Sequence, residues 1–233
     1  MKLAYFLGIS VIDYPGKVAS VVWTVGCNLR CPFCYNSDLV LPEKITFLEA
    51  LDLEWVLGEL RERAGFIQGL AVTGGEPTIH RDLPEFLSRV KSLGLEVKLD
   101  SNGTNPAMLR ELFREKLVDY IAMDIKAPFP RYAQFTGLPP DRAREVVEKV
   151  KESIGVIRSL APAYEFRTTA VPGITEEDLK QIREYVKNDP YVLQPFFLPQ
   201  GKELIDESWK ERPHISEVEL KGIAYRLGCE VRV

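Results

Sequence analysis

The sequence predicts an α/β fold, a partial (β/α)6 barrel of the TIM-like kind, and three observations carry that expectation. Short β-rich runs alternate with longer segments of helical period from about residue 18 onward, the pattern of repeated βα units around a parallel sheet. Polar, chemistry-bearing residues follow the β-rich runs, where the loops of such folds converge. At 233 residues, with 45% apolar and 27% charged residues, the chain can bury a core without staples, so a single domain over 1–233 is expected.

Residues 3–13 read as an extra strand ahead of the barrel, turning at Tyr14-Pro15-Gly16. Barrel strands are expected at 18–25, 69–73, 95–100, 119–124, 164–170 and 191–197. Helices are expected at 46–64, 82–93, 106–115, 141–160 and 176–187, each with apolar residues three and four apart; Leu83, Phe86, Leu87 and Val90 show the spacing. These make six βα units, with a core over roughly 18–200. A last helix near 215–227 and a short strand at 229–233 follow. The stretch 198–213, with Pro199, Gly201 and Pro213, reads as irregular. No internal repeat, low-complexity tract or linker divides the chain.

A net charge of −4 gives no general attraction to a phosphate backbone, so no nucleic-acid partner is expected. No run of eighteen apolar residues suggests a membrane span, and Met1 to Gly8 lacks the layout of a secretory signal, so a cytoplasmic location is expected. Three of the four cysteines fall within eight residues, which points to a metal and away from a disulfide framework.

Those three follow the apolar run Val21-Val22-Trp23-Thr24-Val25 directly. Cys27, Cys31 and Cys34 stand in Gly26-Cys27-Asn28-Leu29-Arg30-Cys31-Pro32-Phe33-Cys34, a Cys-x3-Cys-x2-Cys loop. Thiolates suit zinc or an iron–sulfur cluster. Three so close can hold three corners of one cubane and leave an iron open, whereas zinc would need a distant fourth ligand such as Cys229 or a histidine. Cys229 otherwise reads as a small hydrophobe near the last strand.

Further polar groups end the other strands. Leu70-Ala71-Val72-Thr73 runs into Gly74-Gly75-Glu76-Pro77, where glycines permit close backbone approach to a ligand and a carboxylate can accept from an ammonium; a plain turn is the alternative. Asp100-Ser101-Asn102-Gly103 and Asp124-Ile125-Lys126 end the next two strands. Arg167 lies on the fifth, as a ligand contact or a buried ion-pair partner. Gln194-Pro195-Phe196-Phe197 ends the sixth.

Taken in order, these motifs resemble the radical S-adenosylmethionine superfamily over roughly residues 5–210. The loop matches its Cys-x3-Cys-x-aromatic-Cys signature, with Phe33 as the aromatic, and residues 74–77 match its Gly-Gly-Glu-Pro motif. The resemblance implies a [4Fe-4S] cluster on Cys27, Cys31 and Cys34, whose open iron binds S-adenosylmethionine and cleaves it to a 5′-deoxyadenosyl radical. It also implies that Gly74, Gly75 and Glu76 meet the methionine amino group and that Asp100, Asn102, Asp124, Lys126 and Arg167 line the methionine and ribose side. Phe197 stands where many glycyl-radical-enzyme activases have histidine, so stacking or apolar contact with the adenine is expected there.

The run Ser10-Val11-Ile12-Asp13-Tyr14-Pro15-Gly16-Lys17 is further similar to activating proteins of anaerobic ribonucleoside-triphosphate reductase, although Tyr35 replaces their histidine. That likeness implies a large glycyl radical enzyme as protein substrate and a flavodoxin or ferredoxin as reductant. A radical enzyme acting on a small molecule, such as a 7-carboxy-7-deazaguanine synthase-like reaction, is the alternative.

Overall fold

The computed structural model describes residues 1–232. Its centre is one eight-stranded sheet whose strands lie side by side in chain order. They are β1 (Leu3–Ser10), β2 (Ala19–Thr24), β3 (Gly69–Gly74), β4 (Glu96–Ser101), β5 (Tyr120–Asp124), β6 (Tyr164–Ala170), β7 (Tyr191–Pro195) and β8 (Glu230–Val231). β1 runs antiparallel to β2, and every later neighbour pair is parallel. The helices are α1 (Ser37–Val40), α2 (Pro42–Ile45), α3 (Leu53–Arg63), α4 (Leu83–Ser92), α5 (Pro106–Arg114), α6 (Tyr132–Thr136), α7 (Pro140–Leu160), α8 (Glu176–Val186) and α9 (Glu217–Leu227). Six βα units run from β2 to α9, and a sheet with edges at β1 and β8 is an open barrel.

Alternation along the strands sorts the two faces. Val97 and Leu99 on β4, Ile121 and Met123 on β5 and Phe166 on β6 are fully buried in the main apolar core. The helices add their apolar stripes to it, among them the anticipated Leu83, Phe86, Leu87 and Val90 of α4. Each such side chain contributes about 1.5–3 kcal/mol by leaving water. The intervening positions, Lys98 and Asp100, Tyr120 and Asp124, Glu165 and Arg167, share the opposite face and pair with one another.

Element ends differ from the periodicity in physically intelligible ways. The helix expected at 46–64 begins at Leu53, because the Asp52 side chain accepts the Trp55 backbone N–H and caps it there. Residues 37–45 instead form the two short helices α1 and α2, with Pro42 at the first position of α2. The extra strand ends at Ser10, whose hydroxyl donates to Asp13 and accepts from the backbone N–H groups of Ile12 and Asp13, folding the chain into a turn. The strand expected at 191–197 ends at Pro195, which supplies no N–H to a ladder. The stretch 198–213 holds a 3-10 turn over Glu207–Glu211. The last strand covers Glu230–Val231, and Val233 of the expected 229–233 lies outside the described residues.

Candidate active site

A cavity of about 300 Å³ opens at the C-terminal ends of the strands, within the size range of small-molecule sites. Its lining includes all thirteen residues singled out from the sequence: Cys27, Cys31, Phe33 and Cys34; Gly74, Gly75 and Glu76; Asp100 and Asn102; Asp124 and Lys126; Arg167; and Phe197.

The cysteine loop leaves β2 at Gly26 and is pinned from three directions. The Arg30 N–H donates to the Thr136 carbonyl at 2.9 Å, and a Cβ on Gly137, which has a φ of 66°, would meet the Arg30 oxygen at 2.0 Å. The stretch expected to be irregular supplies a strap: the N–H groups of Ile205 and Asp206 donate to the carbonyls of Cys34 and Pro32 at 3.0 and 2.9 Å. Behind it, Trp209 is buried against Phe33 and Phe135, with ring centroids 5.6 and 5.2 Å apart. Phe33 thus anchors the loop in an aromatic trio as well as lining the cavity.

The Gly74-Gly75 turn also has a packing role of its own. A Cβ on Gly74 would lie 2.4 Å from the Thr24 nitrogen, and one on Gly75 would lie 1.9 Å from the Gly26 oxygen. These glycines let the end of β3 press against the start of the cysteine loop, where the Gly75 and Glu76 N–H groups donate to the Thr24 and Gly26 carbonyls.

Glu76 is buried, and its carboxylate accepts four hydrogen bonds. Three come to Oε1, from the Thr78 N–H and hydroxyl and the Ser101 hydroxyl; the fourth comes to Oε2 from the Asn102 N–H at 2.6 Å. Burial pushes its acidity toward the neutral form, and these donors oppose the push. The carboxylate clamps the end of β3 to the end of β4.

The opposite wall is an ion network. Lys98 donates to Asp100 at 2.6 Å, and Arg167 reaches Asp100 at 3.4 Å and Asp124 at 3.0 Å. Lys126 meets the other oxygen of Asp124 at 2.9 Å. Burial alone would raise both carboxyls, but Arg167 with Lys98 holds Asp100 below its ordinary range. Arg167 with Lys126 brings Asp124 down to about 2. Arg167 is therefore an ion-pair partner and a cavity-lining residue at once.

Lys98 was not singled out from the sequence, yet it is almost wholly buried and belongs to the network. Its position two residues before Asp100 on a strand was the available signal. Thr169 and Gln194, opposite one another on β6 and β7, also line the cavity by the same alternation. Phe197 stands at the mouth with 72% of its surface exposed.

Burial pushes the Cys27 thiol up to about 11 and raises those of Cys31 and Cys34 as well. Such a trio becomes thiolate only beside positive charge, as metal binding provides. Among the described residues, no three His, Cys, Asp or Glu side chains converge on one metal ion. Cys27, Cys31 and Cys34 all line the one cavity, and three thiolates can hold three corners of a cubane.

Comparison with known proteins agrees with this donor set. The sequence profile of the Radical SAM superfamily matches residues 21–186. A Methanocaldococcus jannaschii protein, provisionally named a glycyl-radical enzyme activating enzyme, is 34% identical over 218 residues, covering 92% of this chain and 87% of that protein. The pyruvate formate-lyase-activating enzyme of Listeria monocytogenes is 27% identical over 203 residues, covering 81% and 77%. In fold, the chain is similar to Streptococcus suis SuiB, with a TM-score of 0.64 at 15% identity over 90% of this chain, and spans 45% of SuiB's length. The superfamily's cofactors are a [4Fe-4S] cluster and S-adenosylmethionine, and the thiol trio beside a charged wall fits both. The chain belongs to the radical SAM superfamily, as an enzyme of the glycyl-radical activase type.

Proposed function

We propose that this enzyme reductively cleaves S-adenosylmethionine and uses the product radical to take a Cα hydrogen from one glycine of a large partner enzyme, such as an anaerobic ribonucleotide reductase. When bound, the cluster supplies the single electron that breaks the sulfonium C5′–S bond, giving methionine and a 5′-deoxyadenosyl radical. A flavodoxin or ferredoxin supplies that electron, in a reducing cytoplasm where the thiols stay free.

The observation that carries the reading is the joining of the three-thiol loop and the ion network in one cavity. Cys27, Cys31 and Cys34 hold the cluster. In the network, Lys98, Lys126 and Arg167 outnumber Asp100 and Asp124 by one positive charge, which suits the carboxylate of a methionine moiety. Asp100 and Asp124, kept ionised by their partners, suit ammonium and hydroxyl groups. The resemblance assigns the Gly74-Gly75 backbone and Glu76 to the methionine moiety, and Phe196 and Phe197, lining the same cavity, suit apolar contact with the adenine.

The test uses a candidate glycyl radical enzyme labelled with deuterium at glycine Cα, mixed anaerobically with the reconstituted protein, S-adenosylmethionine and a reductant. Deuterium in 5′-deoxyadenosine together with a glycyl-radical EPR signal on the partner is the expected result. Unlabelled 5′-deoxyadenosine with no radical, for each such partner tried, overturns the glycyl target and favours a small-molecule substrate.

A further inference from the structure

Cys27 is set apart from the other two cysteines by a side-chain hydrogen bond to its sulfur. Its sulfur accepts from the Leu29 backbone N–H at 3.4 Å and from Asn102 Nδ2 at 4.0 Å, the outer limit for a sulfur acceptor. Among the described residues, no side chain donates to the sulfur of Cys31 or Cys34.

Asn102 is not free to turn away. Its backbone N–H is held by Glu76, and its Oδ1 accepts from the Thr104 N–H at 3.0 Å and the Thr104 hydroxyl at 2.7 Å. These acceptor contacts fix which end of the carboxamide carries the N–H groups. Nδ2 then points at the cysteine loop, giving one hydrogen to Asn28 Oδ1 at 3.0 Å, while Asn28 Nδ2 closes the ring onto Thr104 at 2.7 Å. Asn102 and Thr104 are each only 5% exposed, so water competes little for these bonds.

We propose that Asn102 is a positioning residue that tunes the cluster through Cys27, its carboxamide N–H stabilising charge on that one sulfur. The proposal rests on the cluster-binding reading above. Hydrogen bonds to ligating sulfurs raise the potential of an iron–sulfur cluster because they stabilise the more negative, reduced form. Neighbours that orient metal ligands influence metal binding in the same way. Glu76 then acts on the cluster at one remove, through the Asn102 backbone.

Three variants separate donation from mere placement of the loop: Asn102→Leu removes the donor without adding charge, Asn102→Asp removes it and adds charge, and Asn28→Ala breaks the link to the loop but leaves Nδ2 facing Cys27. Each is reconstituted anaerobically, assayed for iron and sulfide, and titrated for its midpoint potential by EPR. The expected result is wild-type iron content with a lower potential in Asn102→Leu, a still lower one in Asn102→Asp, and a potential close to wild type in Asn28→Ala. An unchanged potential in Asn102→Leu overturns the proposal, as does an equal fall in Asn102→Leu and Asn28→Ala. If Asn102→Leu takes up too little cluster to titrate, Asn102→Ser serves instead, with the same fall expected and an unchanged potential again contradicting the idea. Failure of wild type to assemble a cluster would instead strike the underlying reading.

Discussion

Arg167 on β6 donates Nε to the carboxylate of Asp124 on β5 at 3.0 Å, from directly opposite positions of paired strands. The same guanidinium reaches Asp100 on β4, so one side chain ties three successive strands together at the cavity wall. Replacing it by methionine leaves Asp100 with Lys98 and Asp124 with Lys126 but removes the one cation that both acids share. Arg167→Met is expected to cost about 3 kcal/mol, the lower end for breaking a buried pair, in denaturant unfolding of the apoprotein. It should also weaken S-adenosylmethionine binding by isothermal calorimetry at least tenfold.

The lowered pKa of Asp124 makes a pH prediction. A carboxyl whose folded value lies near 2, against about 3.9 unfolded, adds stability that is complete above about pH 5 and is lost progressively as pH falls through 2. The loss amounts to roughly 2–3 kcal/mol. Acid unfolding curves should show Asp124→Asn less stable than wild type at pH 6, with the gap narrowing as pH drops through that window. A gap that stays constant from pH 6 to pH 2.5 would contradict the assignment.

Gly75 tests why the glycine pair is there. Because an added Cβ would stand 1.9 Å from the Gly26 oxygen, Gly75→Ala must push β3 away from the cysteine loop. Overpacking of this kind costs about 1–3 kcal/mol, and the displaced loop should take up less iron on reconstitution. A variant with full stability that loses only cofactor affinity would show that the glycine serves the ligand, as the sequence alone suggested.

Trp209 lies outside residues 21–186, the stretch shared with the superfamily profile, yet it supports the cysteine loop through Phe33. Trp209→Ala should destabilise the fold by about 3–5 kcal/mol. It should also speed the bleaching of the reconstituted cluster in air several-fold, followed by its visible absorbance. Unchanged bleaching would mean that the strap holds the fold but not the loop.

The strands and helices were legible where one period ran unbroken, as in α4, and the site was legible because its chemistry stands at strand ends. Capping chemistry decided what periodicity left vague: Asp52 sets the start of α3, and Pro195 stops β7 short of Phe197. The internal partners of the site residues were harder to see, since they join segments far apart in sequence. Nothing local to Glu76 announces that Ser101 and Asn102 will fill its carboxylate, or that Asn28 will close a ring with Thr104. Lys98 was readable from alternation with Asp100, but a lysine between apolar neighbours is ordinarily taken for a surface residue.

The most direct test of the account is an anaerobic assay for 5′-deoxyadenosine after reconstitution with iron and sulfide and reduction with dithionite, in wild type and in Cys31→Ala. The account predicts that wild type binds an oxygen-sensitive cluster and forms 5′-deoxyadenosine from S-adenosylmethionine, while the variant forms at least a hundredfold less. A wild type that holds its cluster and forms none, or a variant that keeps pace with it, would contradict the claim that these three thiols carry the chemistry.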